Sequence, residues 1–469
     1  MQFKINGGTL ELTIPRKLDA ILLFLLILTL PFGAYLFPFS VGGFTIYAFR
    51  IVLFVSFIYL VISRRIRIGI GHFSLSLSLI LIVWFAYAAV SLIWVVDFDA
   101  AVRELFHIFV GAIFHVSLVS FYNATKKGKS IFATAWIISF AALSLLALFE
   151  ITTRFHLPSY ATSIMERLST GHRLRSMPLA TFHNPNNFSV YLLISLPFFL
   201  SYYVRKTSSN AAAIAIALII YFVTKSESRL GILCLLIQLL SFGLWISVFS
   251  SPIHRLVPSG RLGNVLLVPI LLVVVFGNVL ISERPFDPVQ TTSIVRERPV
   301  DLPAVPSFLP QDRSTAKRYA MIRNGLHFFV MSNGLGIGAG NFGAYMERDH
   351  GIYGTPLGAF GTRQRDPHSF YIEMLSQYGV PIFALFTLWF TALFVFIVSL
   401  FTKKFIRTTR DPRPFYLIAL FAGYIIMANA QSRFVPNPLN YLALSVLSIY
   451  ADAIRMRFRS FIRRTRESR

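Results

Sequence analysis

The chain has 469 residues, 55% of them apolar and 14% charged, with 47 phenylalanines and a net charge of +24. That balance excludes a soluble globular domain, and the scatter of the basic residues over short segments argues for membrane topology over nucleic-acid binding. The single cysteine, Cys234, sits inside an apolar run, which excludes an internal disulfide or a multi-thiolate metal site.

Apolar runs long enough to cross a bilayer, about 20 residues each, recur at 19–37, 45–63, 74–96, 100–122, 131–150, 187–204, 209–224, 229–250, 263–282, 381–402, 414–430 and 438–454. The first is too long, and too lacking in a small-residue cleavage site, for a removed signal peptide. The expected fold is an all-α polytopic membrane protein of about twelve transmembrane helices, with one large extracytoplasmic loop bearing amphipathic helices. Residues 1–282 hold nine membrane helices, 283–367 the loop, 368–454 three more helices, and 455–469 a basic cytoplasmic tail.

Charge orients the chain. Lys4, Arg16 and Lys17 precede the first span, and every even-numbered exit is basic, from Arg64 and Arg65 after the second to "RMRFRSFIRRTRESR" after the twelfth. The positive-inside rule then puts both termini in the cytoplasm and the odd-numbered exits outside. The 283–367 loop is long enough to imply a task. Its front is Pro-rich. From Ser314, a candidate N-cap, "STAKRYAMIRNGLHFFVM" places Tyr319, Ile322, Leu326, Phe329 and Val330 on one helical face, as in a helix lying on the membrane or packed over the spans. It runs into the glycine-rich "SNGLGIGAGNFG", suited to tight turns near a ligand.

Arginines gather on this outer side: Arg318 and Arg323 on the loop helix, Arg363 and Arg365 further on, and Arg229 in "SESRLG". Any one alone is more often a solvated or snorkelling side chain. Arg229 stands out because it abuts an apolar run against the topology bias. Guanidinium forks pair with phosphate oxygens, so the set suits an anionic partner. In "RDPHSFYIEMLSQYGVP" Asp366 reads as an N-cap and Pro367 as the first helical position, leaving His368 in the first turn. The helix dipole there disfavours imidazolium, giving a proton acceptor suited to general-base work, although a merely capping histidine is the simpler alternative. "YGVP", with Pro381, should break that helix about three turns on. Asp97 and Asp99 form an outward Asp-x-Asp, a possible cation pair, but Asp99 reads better as the cap of the fourth span.

These stretches resemble the O-antigen ligase and O-antigen polymerase superfamily of bacterial envelope enzymes. "HSFYIEMLSQYG" is similar to its outer-loop histidine motif, with Ile382 where ligases usually carry a second glycine. "KRYAMIRNGLHFFVMSNGLGIGAGNF" is similar to its arginine-to-glycine-turn segment, with Ile322 in place of a usual Trp. "SESRLG" resembles its Ser-Arg motif, "FHNPNNFSVYLLISLP" its Asn-Pro-Asn segment, and "LIWVVDFDAAVREL" its lead into the fourth span.

The resemblance implies a metal-independent inverting glycosyltransferase without a cofactor, acting at the outer face of the bacterial cytoplasmic (inner) membrane. Its donor would be an oligosaccharide on a polyprenyl diphosphate, and its acceptor a glycan. His368, Arg318 and Arg229 would be catalytic, and Asn184, Asn186, Arg323 and Arg365 would bind substrate. Other partners would be membrane lipid and, with them, a flippase and a chain-length regulator. A polymerase of repeat units is favoured slightly over a ligase to lipid A core. A transporter, such as a lipid-linked sugar flippase drawing on Arg50 and Glu104, is the alternative from another class; a bicarbonate-uptake relative ranks last.

Overall fold

The computed structural model describes residues 2–6, 9–13, 16–42, 44–125, 128–157, 177–182, 184–204, 209–249, 313–348, 367, 369–401, 413–429 and 433–467. Two small antiparallel hairpins correct the all-α expectation. β1 (Gln2–Asn6) pairs with β2 (Thr9–Thr13), and β3 (Phe39–Val41) with β4 (Phe44–Ile46). In each the sequence between the strands is Gly-Gly, which two-residue hairpin connections favour.

The rest of the described chain is dominated by helices: α1 (Arg16–Thr29), α2 (Ala48–Ile62), α3 (His72–Ser91), α4 (Phe98–Ala124), α5 (Gly128–Thr153), α6 (Pro185–Val204), α7 (Ser209–Lys225), α8 (Arg229–Phe249), α9 (Arg313–Met331), α10 (Phe342–Arg348), α11 (Phe370–Phe401), α12 (Arg413–Met427) and α13 (Pro438–Glu467). Among the described residues four helices are long and apolar enough to cross a membrane: His72–Ser91, Phe98–Ala124, Gly128–Thr153 and Phe370–Leu400. Four shorter apolar ones are Ala48–Ile62, Asn210–Lys225, Arg229–Gly243 and Pro414–Met427. Large apolar side chains point outward along them, including Val55 and Ile62 on α2, Leu79 and Ile82 on α3, Leu145 and Phe149 on α5, and Leu388 and Val395 on α11. Water does not tolerate such a continuous surface, whereas hydrocarbon is its natural solvent. The chain is a helical membrane protein. The expected span at 263–282, and residues 283–312 and 349–366 of the expected loop, lie outside the described residues.

Polar contacts gather the connections at two ends of the bundle. At one end Arg65 Nη1 lies 2.9 Å from Asp19 Oδ2. There too the Asp452 carboxylate accepts from Phe73 N at 3.0 Å, Ser74 N at 2.9 Å and Ser74 Oγ at 2.7 Å, holding the start of α3 against α13. Beyond Asp452, α13 runs on as helix to Glu467, so most of the expected basic tail is helical. The other end holds the α3–α4 connection, the 332–341 turn and the first half of α11.

There α11 is broken. Gly379 has φ 63 and ψ −163, a conformation that only glycine adopts readily. The break belongs to Gly379, two residues before the Pro381 that the sequence suggests. It lets one indole seat both halves of α11: Trp84, fully buried on α3, meets Tyr378 edge-on at 5.3 Å before the break and Phe386 at 5.4 Å after it.

Candidate active site

α11 starts later than the sequence suggests. The Ser369 carbonyl accepts from Glu373 N at 2.9 Å and the helix begins at Phe370, so Ser369 holds the N-cap position expected of Asp366. Pro367 is not helical. The first helical turn therefore opens at Phe370, three residues after the Pro367 expected to open it. His368 itself, like Arg363 and Arg365, lies outside the described residues. Its following neighbour is fixed. Ser369 Oγ donates to Asn429 Oδ1 at 2.6 Å, and Phe370 N to Ala428 O at 3.0 Å, tying the start of α11 to the end of α12.

The short first half of α11 is polar on one buried face, where Ser369, Glu373, Ser376 and Gln377 recur at helical spacing. Glu373 Oε2 accepts from Phe434 N at 2.8 Å. Opposite, Glu104 on α4 has its side chain wholly buried. It receives Arg433 Nη2 at 2.8 Å and the Tyr378 hydroxyl at 3.3 Å. Arg50 in turn donates to His107 Nδ1 at 2.9 Å and to the Thr45 carbonyl. Arg50 and Glu104 therefore pair across the bundle, each with a partner on another element. Glu373, Tyr378 and Arg433 are members of this end that sequence reasoning missed. Arg433, an arginine between two apolar runs, carried the same signal as Arg229; the other two are legible only once α11 has been seen to break.

α9 lies along this first half of α11. A Cβ on Gly325 would run into Ile372, and Gly334 O accepts from Val380 N at 2.8 Å. The two segments run parallel. A small core of Met321, Phe328, Ile337, Phe342 and Met346, with Tyr345 and Ile372 beside it, fills the space between them. The expected apolar face of α9 is thus corrected. The covered face is Ala320, Met321, Asn324 and Phe328, whereas Leu326 and Val330 point away from the described residues at 43% and 69% exposure. Burial went to the face that meets α11. Asn324 is fully buried there, and neither of its amide atoms has a partner among the described residues.

Past α9 the glycine-rich turn docks by its backbone. Ile337 N and Gly338 N donate to the carbonyls of Ser376 and Gln377, and Trp94 Nε1 donates to Gly336 O at 3.1 Å. Asn341 Oδ1 accepts from Val96 N and Asp97 N at 2.9 and 2.8 Å. Asp97 Oδ1 caps α4 through Ala100 N at 2.9 Å, and Asp99 lies in the first turn. The cap is Asp97, then, where the sequence suggests Asp99. Half of the Asp-x-Asp is committed to helix capping.

The remaining expected residues form a second group at this end. Asn184 Oδ1 accepts from Asn187 N at 2.8 Å and starts α6, which carries Asn186 in its first turn. One turn on, Ser189 Oγ meets Ser226 Oγ at 2.6 Å. Ser226 lies three residues before Arg229, which opens α8. Asn184, Asn186 and Arg229 are thereby brought to one level. Arg318 and Arg323 are half-buried on α9, with the Arg323 guanidinium 6.0 Å from the Tyr319 ring. Arg229 belongs to a different packing unit from Arg318: α8 packs mainly on α12, α6 and α7, and α9 on α11.

Fold and site together define a helical membrane protein in which the described candidate site residues collect at one end of the bundle. Residues 211–387, which include Arg229, Arg318 and the start of α11, match the family model described as O-antigen ligase. Over 392 residues, 81% of this chain and 73% of the relative, the chain is 24% identical to the teichuronic acid biosynthesis protein TuaE of Bacillus subtilis strain 168. Over these stretches the chain is similar to O-antigen ligase proteins and to an envelope polysaccharide biosynthesis protein, in keeping with the superfamily that its motifs resemble.

Proposed function

We propose that the chain is a metal-independent, inverting glycosyltransferase that polymerises repeat units carried on polyprenyl diphosphate into a surface polysaccharide, on the outer face of the cytoplasmic membrane. An acceptor hydroxyl attacks the anomeric carbon of the donor and forms the new C–O bond. Its proton passes to His368, and the bond from the anomeric carbon to the diphosphate oxygen breaks with its electron pair. Arg318 and Arg229 neutralise the charge arriving on the departing lipid diphosphate, which fixed cations in a dry site do strongly. Asn184, Asn186, Arg323 and Arg365 hold the glycan and the phosphates. The diphosphate linkage supplies the activation, so no nucleotide is needed.

The observation that carries this reading is the parallel register of α9 and α11. Gly325 opposes Ile372 and Gly334 opposes Val380. Extended toward the two N-termini, that register sets Ile322 level with Ser369, the residue next to His368 in the sequence, and Arg318 about one helical turn further along α9. In this reading the Arg318 cation and the His368 base, from segments far apart in the chain, act on one donor.

The description of the matched family favours a ligase as the second reading, whereas Ile382 in place of a second glycine favours the polymerase. Deleting the gene in its host and resolving surface glycans on a gel separates them. A polymerase leaves single-repeat products, and a ligase leaves long chains on the carrier lipid. Accumulation of lipid-linked units on the inner leaflet would point to a flippase and remove the transfer reaction.

A further inference from the structure

We propose that the β3–β4 hairpin lies flat in the membrane leaflet at the candidate-site end of the bundle. Its apolar face rests on lipid acyl chains, and its polar face is turned to the headgroups and water.

The register makes this hairpin two-faced. Phe39 pairs with Ile46 and Val41 with Phe44, whereas Ser40 pairs with Thr45. Alternate residues of a strand share a side, so Phe39, Val41, Phe44 and Ile46 stand on one face and Ser40 and Thr45 on the other. Phe39 is 48% exposed, Val41 56%, and Phe37, two residues before β3, 77%. From Pro31 to Phe49 the chain carries no Asp, Glu, Lys, Arg or His. Bathed in water, such an uncharged apolar face beside open strand edges would invite aggregation.

The length of α2 sets the depth. Its 15 residues rise about 22 Å, some 8 Å less than the roughly 30 Å hydrocarbon core, and tilt shortens that reach further. The far end of α2 is fixed at the opposite boundary, where Arg64 and Arg65 follow it and Arg65 pairs with Asp19. Ala48 therefore starts inside the hydrocarbon, at the depth of about 5–10 Å to which interfacial amphipathic elements sink. Lying flat there keeps the strand edges within reach of headgroups and water, which a two-stranded sheet deeper in the bilayer would lack.

The hairpin is also held in place. The Phe44 ring packs on Phe106 at 4.8 Å, Ala48 N donates to Leu36 O at 2.9 Å, and Arg50 donates to the Thr45 carbonyl. A second copy of the chain is a poor cover, because two three-residue strands offer far less than the about 800 Å2 per partner of a stable interface.

The test places single nitroxide-labelled cysteines in the full chain, in liposomes of phosphatidylcholine and phosphatidylglycerol. The native Cys234 is buried, and Cys234→Ser removes it from the background. Collision with oxygen, which partitions into lipid, is compared with collision with a nickel chelate, which stays in water. The oxygen-to-nickel ratio should be several-fold higher for Phe39→Cys and Val41→Cys than for Ser40→Cys and Thr45→Cys. Phe37→Cys, outside the strands, should match the first pair and gives the same reading if a label within a strand disturbs it. Equal ratios on the two faces would put the hairpin in water and overturn the proposal. Weak collision with both reagents at positions 37, 39 and 41 would put that face under protein, from this chain or a second copy, and overturn it equally.

Discussion

Arg433 Nη2 lies 2.8 Å from Glu104 Oε2, tying the connection that follows α12 to the second turn of α4. The two ends of this pair are unequal, because the Glu104 side chain is wholly buried and that of Arg433 is 39% exposed. Removing the arginine strands a carboxylate away from water. Removing the glutamate leaves a guanidinium that can turn outward.

Arg433→Gln should therefore destabilise more than Glu104→Gln. The expected loss is about 2–3 kcal/mol, below the full cost of breaking a buried pair because one partner is partly solvated. The double variant should recover part of it. Thermal unfolding of the three proteins in one detergent decides, and equal losses from the two single changes would remove the asymmetry.

Gly379 and Gly334 both have positive φ, at 63 and 80, but differ in their surroundings. A Cβ at Gly379 would enter the backbone of Gly334 and Leu335, whereas at Gly334 it meets only side-chain atoms at ordinary distances. Gly334→Ala should cost about 1–2 kcal/mol, the usual left-handed penalty. Gly379→Ala should cost about 3 kcal/mol or more and disrupt the α9–α11 junction. Folded yield and transfer activity of both variants test this, and a well-folded, active Gly379→Ala protein would contradict it.

For Arg318, loss of the guanidinium should lower turnover of lipid-linked donor about 10²–10³-fold. Arg318→Lys should keep part of the activity, since it retains charge but loses the fork that grips two oxygens. Arg229→Ala should behave like Arg318→Ala. His368→Ala should abolish chain extension while membrane insertion is unchanged. Polymer length on gels, with membrane-fraction blots, gives the comparison; full-length polymer from the His368 variant would take the base out of the reaction.

The two aspartates before α4 should separate. Asp97→Ala loses the cap on Ala100 and should cost about 1 kcal/mol. Asp99→Ala loses only a charge in the first turn, worth under about 1 kcal/mol. Neither change should make activity dependent on a divalent cation, and EDTA should leave turnover intact. Activity lost in EDTA and restored by magnesium would make the pair a metal site after all.

Much of the fold was legible because the bilayer imposes a simple rule. Runs of apolar residues must become helices that satisfy their own backbone, so the positions of α2 to α5 and of the later apolar helices follow from hydropathy. The motif around Arg229 and the glycine turn was legible too, since arginines and glycines at those places have few other uses. Local competition decided what was not. Ser369, not Asp366, holds the N-cap of α11. Asp97, not Asp99, caps α4. The break in α11 falls at Gly379, where its backbone meets Gly334 and Leu335, and not at Pro381.

By itself the sequence determined that this chain lives in a membrane, which segments are apolar enough to enter it, and which superfamily its motifs resemble. Only the tertiary structure decided which face of α9 is buried, because Leu326 and Val330 are as apolar as Met321 and Phe328 and only the position of α11 distinguishes the covered face from the exposed one. It also decided that Glu104 meets Arg433 and that Arg50 meets His107, since partners so far apart in the chain are chosen by helix packing and leave no local trace.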